Sequence, residues 1–338
     1  MKELERLKNY LSAIGSDLYR VQGAGGNASV KLGNVLWVKA SGTRLKEANT
    51  ADVLIPMDLT TRKFSDGRSN QLGYNHLRPS IELGLHEELA WPVVLHLHQL
   101  SSLPALLLKK PIAALKKVID AQFSWGLIEY RRPGEALTSA LVDRVQRYGL
   151  KEVYFLQNHG VIIGGDSVSE VSQKVDALDE IFDRAKMVNN SRPLTSMQLR
   201  SLASLHRPDY EPCTLNVLHH LSTDPSLVAA MRRLWAITPD HVVFLGSEPV
   251  FESASDSSQA RISRHRTPFI FVEGYGTLQR KDVRSEELEQ LHSYAIILQN
   301  LTNLDLCSEL SKLEAASLLD WEAEKFRQKQ ASESSGAN

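Results

Sequence analysis

The sequence predicts an α/β or α+β sandwich of helices on a sheet, followed by a smaller α/β unit. Short β-branched runs alternate with longer amphipathic segments over the 338 residues. Hairpin punctuation comes early and crossover-length connections come later. After a polar Asn-Asn-Ser-Arg-Pro run between residues 189 and 204, the pattern restarts with its own helices and strands. The composition is that of an ordinary globular chain, 42% hydrophobic and 23% charged with a formal net charge of -1. No basic excess suggests nucleic acid, and no long like-charge block suggests a solvating tail. Cys213 and Cys307 are the only cysteines, so no disulfide framework or Cys-rich zinc module is available. No segment approaches transmembrane length, and the expected location is the cytoplasm.

The elements follow in order. Leu4, Leu7, Leu11 and Ile14 recur at helical spacing, which reads as an amphipathic helix rather than a signal peptide. A glycine-rich turn at 23–29 precedes two strand-like runs, 28–32 and 35–39, joined by the hairpin signal Gly33-Asn34. Residues 53–57 read as a short strand and 60–75 as polar loop. Ser80 is placed to cap a helix that begins near Ile81 and ends before Pro92. Residues 93–98 form the next strand. From Pro104 to Tyr130 the apolar residues show no strand period and read mostly as helix. A helix over 136–148, a buried strand over 153–156 and a strand and turn over 161–165 come next. Ser167 then opens a helix to about Val188, with Glu170 in its acidic first turn. In the second unit the expectation is a helix at 225–235, strands at 242–245 and 269–272, and two helices from Ser285 onward. Ser253 to Ser258 reads as a mobile loop, and residues 331–338 as a disordered tail.

The chemistry concentrates in the first half. In the run Val93-Val94-Leu95-His96-Leu97-His98, alternate residues of a strand point to one face, so His96 and His98 can converge. His159 ends a buried strand in Gln157-Asn158-His159-Gly160, and Glu82 opens a helix. Three imidazoles and a carboxylate make a complete donor set for a divalent metal, with a position left open for substrate or water. Alone, His159 is more simply a buried, hydrogen-bonded ring, and the His-X-His pair is balanced between packing and ligation; together with Glu82 they favour a metal. His86, one turn after Glu82, is a packing residue first and a supporting partner second.

Two further patterns carry alternatives. Residues 23–28 fit the G-X-G-X-X-A form of the dinucleotide fingerprint, but a helix precedes them and a hairpin follows, so that reading fails. What remains is either a backbone nest that holds an anion with Asn27, or a plain tight turn. Lys39, with Ser41 and Gly42 after it, is either a phosphate or carboxylate clamp or a strand end with a solvated lysine.

Taken in order, GGNAS, KASGT, RPSIE, HLH, YRRPGEAL and QNHG resemble the class II (metal-dependent) aldolase and adducin family over about residues 1–188. RPSIE followed by HLH looks most like its rhamnulose-1-phosphate-aldolase-like branch. The segment around Thr238-Pro239-Asp240-His241-Val242 is similar to that branch's extension. Longer relatives add a short-chain dehydrogenase domain, and nothing here carries a dehydrogenase fingerprint. The resemblance implies a three-layer α/β/α class II aldolase-like sandwich around a mainly antiparallel sheet, assembled as a homo-oligomer, most often a tetramer. It implies a catalytic domain over 1–200, a smaller α/β extension over 201–330 and the tail beyond. The metal ligands would be His96, His98, His159 and Glu82, with Glu82 also the acid/base. The ion would be zinc, with manganese, cobalt or iron(II) as alternatives. Gly26, Asn27, Lys39, Ser41, Gly42 and Ser80 would bind a sugar or sugar-phosphate substrate. Ala24 and Ile81 stand where family members often have hydroxyls, which weakens the case for a phosphate. The implied activity is reversible aldol cleavage of a sugar-derived hydroxy-ketone or ketose phosphate through a metal-stabilised enediolate. Epimerase, decarboxylase or dehydratase chemistry, or a non-catalytic adducin-like module, are the alternatives.

Overall fold

A computed structural model describes residues 1–63, 77–119, 122–205, 208–253 and 267–319. Most of the polar loop expected to residue 75, residues 254–258 of the Ser- and Asp-rich segment, and the 331–338 tail lie outside the described residues. The chain divides into two compact units, with the division between Lys186 and Met187.

The first unit is built on a seven-stranded sheet. Its strands are β1 (Asn27–Leu32), β2 (Val35–Lys39), β3 (Leu54–Asp58), β4 (Val93–Leu97), β5 (Trp125–Ile128), β6 (Val153–Leu156) and β7 (Gly160–Gly165), in the spatial order β3-β2-β1-β4-β7-β6-β5. Every pairing is antiparallel except β5 with β6. Helices cover both faces. On one lie α1 (Lys2–Ile14) and, late in the chain, α6 (Val168–Ile181); on the other lie α2 (Leu83–Glu88) and α5 (Glu135–Tyr148). The short α3 (Leu103–Leu106) and α4 (Pro111–Val118) follow β4. Leu4, Leu7, Leu11 and Ile14 of α1 are all buried, as their spacing predicts. On the opposite face Leu85 and Leu89 meet Leu137 and Leu141 over Val94, Tyr154 and Ile162. Because β4 is covered on both sides, all five of its residues are buried, which is why it reads as an apolar run rather than an alternation.

Three elements differ from expectation. The helix after Ser80 begins at Leu83, with Glu82 as its N-cap residue and no side-chain cap. The preceding residues are held extended instead: Pro79 bridges Ala40, and the Ser80 amide donates to the Lys39 carbonyl at 3.0 Å. Within the stretch read mostly as helix, residues 125–128 form β5, whose alternating burial marks a sheet edge. The helix opened by Ser167 stops at Ile181 rather than near Val188, since Asp183 turns into the left-handed region at φ 50°.

The second unit has a four-stranded sheet in the order β8 (Tyr210–Pro212), β11 (Gly276–Arg280), β10 (Phe269–Val272), β9 (Phe251–Glu252). Its helices are α7 (Ser196–Ser204), α8 (His220–Thr223), α9 (Pro225–Arg233), α10 (Pro239–Leu245), α11 (Ser285–Gln299) and α12 (Lys312–Leu319). The run Val242–Leu245, expected as a strand, lies in α10. Thr238 caps that helix by accepting from the His241 amide at 3.3 Å, and Pro239 fills its first turn. Every residue of α10 is buried, so no amphipathic period was there to outweigh the β-branched pair. Within it, His241 packs edge-on against Trp235 and Tyr294, each 4.5 Å away between ring centroids. Neither of its ring nitrogens has a hydrogen-bond partner. Burial alone pushes its pKa down to about 3.

Two outcomes follow. A Cβ on Gly164 would lie 2.0 Å from the Trp91 ring, whose Nε1 donates to the Lys151 carbonyl at 3.0 Å. Gly164→Ala must displace that ring and is expected to lower stability by about 1–3 kcal/mol, read from the denaturant midpoint. The unfolded chain protonates His241 near its ordinary value, whereas the fold resists until about 3. Stability should therefore be full above about pH 6.5 and decline as pH falls, by about 2 kcal/mol at pH 5 from this group. His241→Phe should flatten that part of the profile in urea titrations run from pH 7 to 5.

Candidate metal centre

β4 is the axis of the site. His96 sits in the ladder opposite Asn27 of β1 and Ile162 of β7. Its Nδ1 lies 2.9 Å from the Val161 carbonyl. A carbonyl only accepts, so Nδ1 carries the proton and Nε2 presents its lone pair. That Nε2 is buried and has no hydrogen-bond partner. Burial first, and then the neighbouring His159 and His98 rings, hold the His96 pKa well below its usual 6.5. The ring is neutral at neutral pH, as a metal ligand requires.

His98 follows directly after β4 and keeps the strand's parity. His159 arrives from the β6–β7 hairpin, where Asn158 adopts φ 55° and its amide donates to the Leu106 carbonyl at 3.2 Å. Asn tolerates that left-handed conformation better than most residues. Gly160 completes the turn because a Cβ there would lie 2.2 Å from the Leu97 carbonyl oxygen. The three rings form a near-equilateral triangle, with centroids 5.0, 4.8 and 5.1 Å apart. One nitrogen from each lies within 4.8 Å of the others, and all three residues are buried. An orphaned buried lone pair is costly unless something takes it. Three imidazole nitrogens converging on one point fit a divalent ion, with room for a further ligand.

Glu82 lies over this triangle. Its Oε2 is 3.6 Å from His96 Nε2 and its Oε1 is 3.7 Å from His159 Nε2. Asn27 Nδ2 donates to Oε2 at 2.6 Å, and the Glu82 amide donates to Ser80 Oγ at 3.2 Å. Thus Asn27, expected to bind substrate, orients the carboxylate. The Ala40–Pro79 bridge places Ser41 opposite Arg78, its amide donating to the Arg78 carbonyl at 2.8 Å, and Ser80 opposite Lys39. Gly42 and Gly26 have φ of 77° and 67°. In the glycine-rich turn, the Gly25 amide donates to the Gln22 carbonyl at 2.9 Å. Lys39 is buried, and its Nζ donates to the Ala24 carbonyl at 3.0 Å, so it braces that turn.

Sequence reasoning missed one supporting group, Gln22, and named the other, His86, as a packing residue first and a supporting partner second. Gln22 Nε2 donates to the His98 carbonyl at 3.2 Å. His86 is fully buried, with Nδ1 2.8 Å from Ser29 Oγ, and burial lowers its pKa to about 3. The signal for His86 was present: Asn27 and Ser29 share a β1 face, and His86 lies one turn from Glu82. Gln22 gave none, since its contact depends on how the turn folds back.

The family described as Class II Aldolase and Adducin N-terminal domain matches residues 13–185, just over half of the chain. A methylthioribulose-1-phosphate dehydratase of Klebsiella pneumoniae is 24% identical over 187 residues, covering 50% of this chain and 88% of that protein. Among solved structures, the N-terminal class II aldolase domain of a Thermoplasma acidophilum protein is 22% identical with a TM-score of 0.43, covering 54% of this chain and 92% of that one. A sugar-phosphate aldolase from Thermotoga maritima is 17% identical with a TM-score of 0.43, covering 61% and 97%. The matched residues contain the whole sheet of the first unit and all three converging histidines, and the chain belongs to the class II aldolase and adducin family.

Proposed function

We propose that this chain is a metal-dependent lyase of the rhamnulose-1-phosphate-aldolase-like kind. It would reversibly cleave a carbon–carbon bond in a sugar-derived hydroxy-ketone or ketose phosphate, with His96, His98 and His159 as metal ligands and Glu82 as acid/base. The observation that carries this is the carboxylate lying 3.6 and 3.7 Å from two of the three ligand nitrogens. Held by Asn27 and facing two imidazole nitrogens, that carboxylate is placed to take and return a proton beside the ion. A divalent ion held there, zinc first, supplies a Lewis acid for the carbonyl oxygen of the substrate.

The chain's own residues do the rest. Glu82 takes the proton of the hydroxyl whose carbon becomes the aldehyde. It then returns that proton to the carbon freed by the broken bond, so one carboxylate serves both steps and ends as it began. Asn27 fixes its orientation through the 2.6 Å hydrogen bond. Gly26, Ser41, Gly42 and Ser80 offer backbone and hydroxyl donors to the polar or phosphorylated end of the substrate. Lys39 acts through the turn it braces. Burial of the site excludes water, which strengthens each of these contacts.

Dehydration is the second reading, favoured by the name of the Klebsiella relative. There the same carboxylate would take a proton from carbon, and hydroxide would leave. An assay of zinc-reconstituted protein against ketose phosphates, free ketoses and oxo-acids separates the chemistries. Aldehyde release supports cleavage, and water loss without aldehyde supports dehydration.

The expected metal content is one divalent ion per chain after reconstitution, measured by elemental analysis. Its absence from the wild type would sink the metal reading. His96→Ala and His159→Ala should each fail to retain stoichiometric metal and lose turnover with it. Glu82→Gln keeps the shape but removes the base. It should still bind metal while turnover falls by about 10²–10⁴-fold; full turnover in that variant would remove Glu82 from the acid/base role.

A further inference from the structure

The three candidate ligands are not held alike. His96 is fixed by the ladder and by the Val161 carbonyl, and His159 by a tight hairpin. His98 lies beyond the last ladder pair on both sides, since pairing ends at His96 with β1 and at Leu97 with β7. The His98 carbonyl accepts from Gln22 Nε2 at 3.2 Å, and a second contact holds the segment that follows it.

That contact leads to Asp179 on α6, a carboxylate buried on the apolar stripe that also contains Val171, Val175 and Leu178. Its Oδ1 accepts from Gln99 Nε2 at 2.6 Å and from Ser101 Oγ at 3.2 Å. Gln99 is the residue immediately after His98. The other oxygen, Oδ2, accepts from Arg20 Nε at 2.9 Å and Arg184 Nη1 at 2.8 Å. Arg20 also pairs with Asp176 at 2.6 Å, and Arg184 with Asp17 at 2.6 Å. Each carboxylate oxygen thus has a separate task. The cations on Oδ2 keep a buried charge tolerable, and Oδ1 grips the segment next to His98. Gln99 Oε1 is buried without a hydrogen-bond partner. The carboxylate accepts only, so it forces the amide to present its NH2.

We propose that Asp179 is a positioning residue for the metal centre, setting the place of His98 through Gln99 and Ser101. This rests on the metal reading above. An amide at position 179 must turn its own NH2 either to the guanidinium groups or to Gln99 and Ser101, so one pair of donors loses its acceptor.

The test measures zinc affinity by competition with a chelator, and the visible absorption of the cobalt-substituted protein, which reports ligand geometry. Asp179→Asn should weaken zinc binding about 10-fold or more and alter the cobalt bands. Gln99→Leu removes the grip but leaves the arginine–aspartate pairs, and should do the same with a smaller fall in melting temperature. Val175→Ala, on the same helix, should lower the melting temperature and leave both metal readouts unchanged. If Asp179→Asn and Gln99→Leu bind zinc like the wild type with an identical cobalt spectrum, the proposal is overturned while the metal reading stands. A wild type that binds no zinc overturns both.

Discussion

The antiparallel register through β4 is the constraint on which the rest of the site depends. His96 faces Asn27 on one side and Ile162 on the other. Side chains alternate along a strand, so this register puts Asn27, Ser29, Val94, His96 and Ile162 on the face covered by α2 and α5. That face is where Glu82 enters from the start of α2, and where Ser29 meets His86. A slip of one residue would send His96 and His98 toward α1 and α6 and leave Glu82 facing aliphatic side chains. The apolar residues of β4 make that slip costly, because Leu95 and Val94 would also have to exchange well-packed surroundings.

Burial then sets the electrostatics. Full desolvation disfavours a charged ring, and two neighbouring imidazoles disfavour it further, so His96 stays neutral. The same burial would penalise a bare carboxylate, yet Glu82 is buried beside the rings. Asn27 offsets part of that penalty with a short hydrogen bond, which explains why an asparagine at the end of the glycine-rich turn serves the carboxylate. The apparent anion-binding signature of that turn and the orientation of Glu82 are therefore one feature. The hairpin between β1 and β2 and the bridge from Ala40 to Pro79 bring its parts together.

Much of this was legible from local pattern. The His-X-His strand and the buried stripe of α1 depend on periods of two and 3.6 residues, and the Gly33-Asn34 hairpin on turn chemistry, all of which survive in sequence. The coming together of His96, His98 and His159 was legible only because each lies at a strand or its end. Where a segment is buried on all sides, as in α10, no period remains and the β-branched pair misled; Thr238 and Pro239 were the better guide. The paired path at Pro79 and Ser80 was hidden for another reason. It is set by pairing with Ala40, a contact between residues far apart in the chain, which outweighs the local preference of Ser80 to cap a helix.

Burial and an unpartnered nitrogen do not by themselves make a ligand, and the two units show why. His241 is as buried as His96 and has both nitrogens without partners, yet it is boxed by Trp235 and Tyr294. Its ring acts as an aromatic packing element whose cost is a pKa pushed to about 3. His96 has one nitrogen fixed by a backbone acceptor, and only the other is left without a partner. That asymmetry selects a tautomer, aims one lone pair and removes rotational freedom before any ion arrives. Convergence completes the distinction, since among the described residues only His96, His98 and His159 form a group able to hold a metal. A site of this kind also depends on what holds the backbone of its ligands, and the proposed role of Asp179, which reaches only the residues after His98, is of that sort.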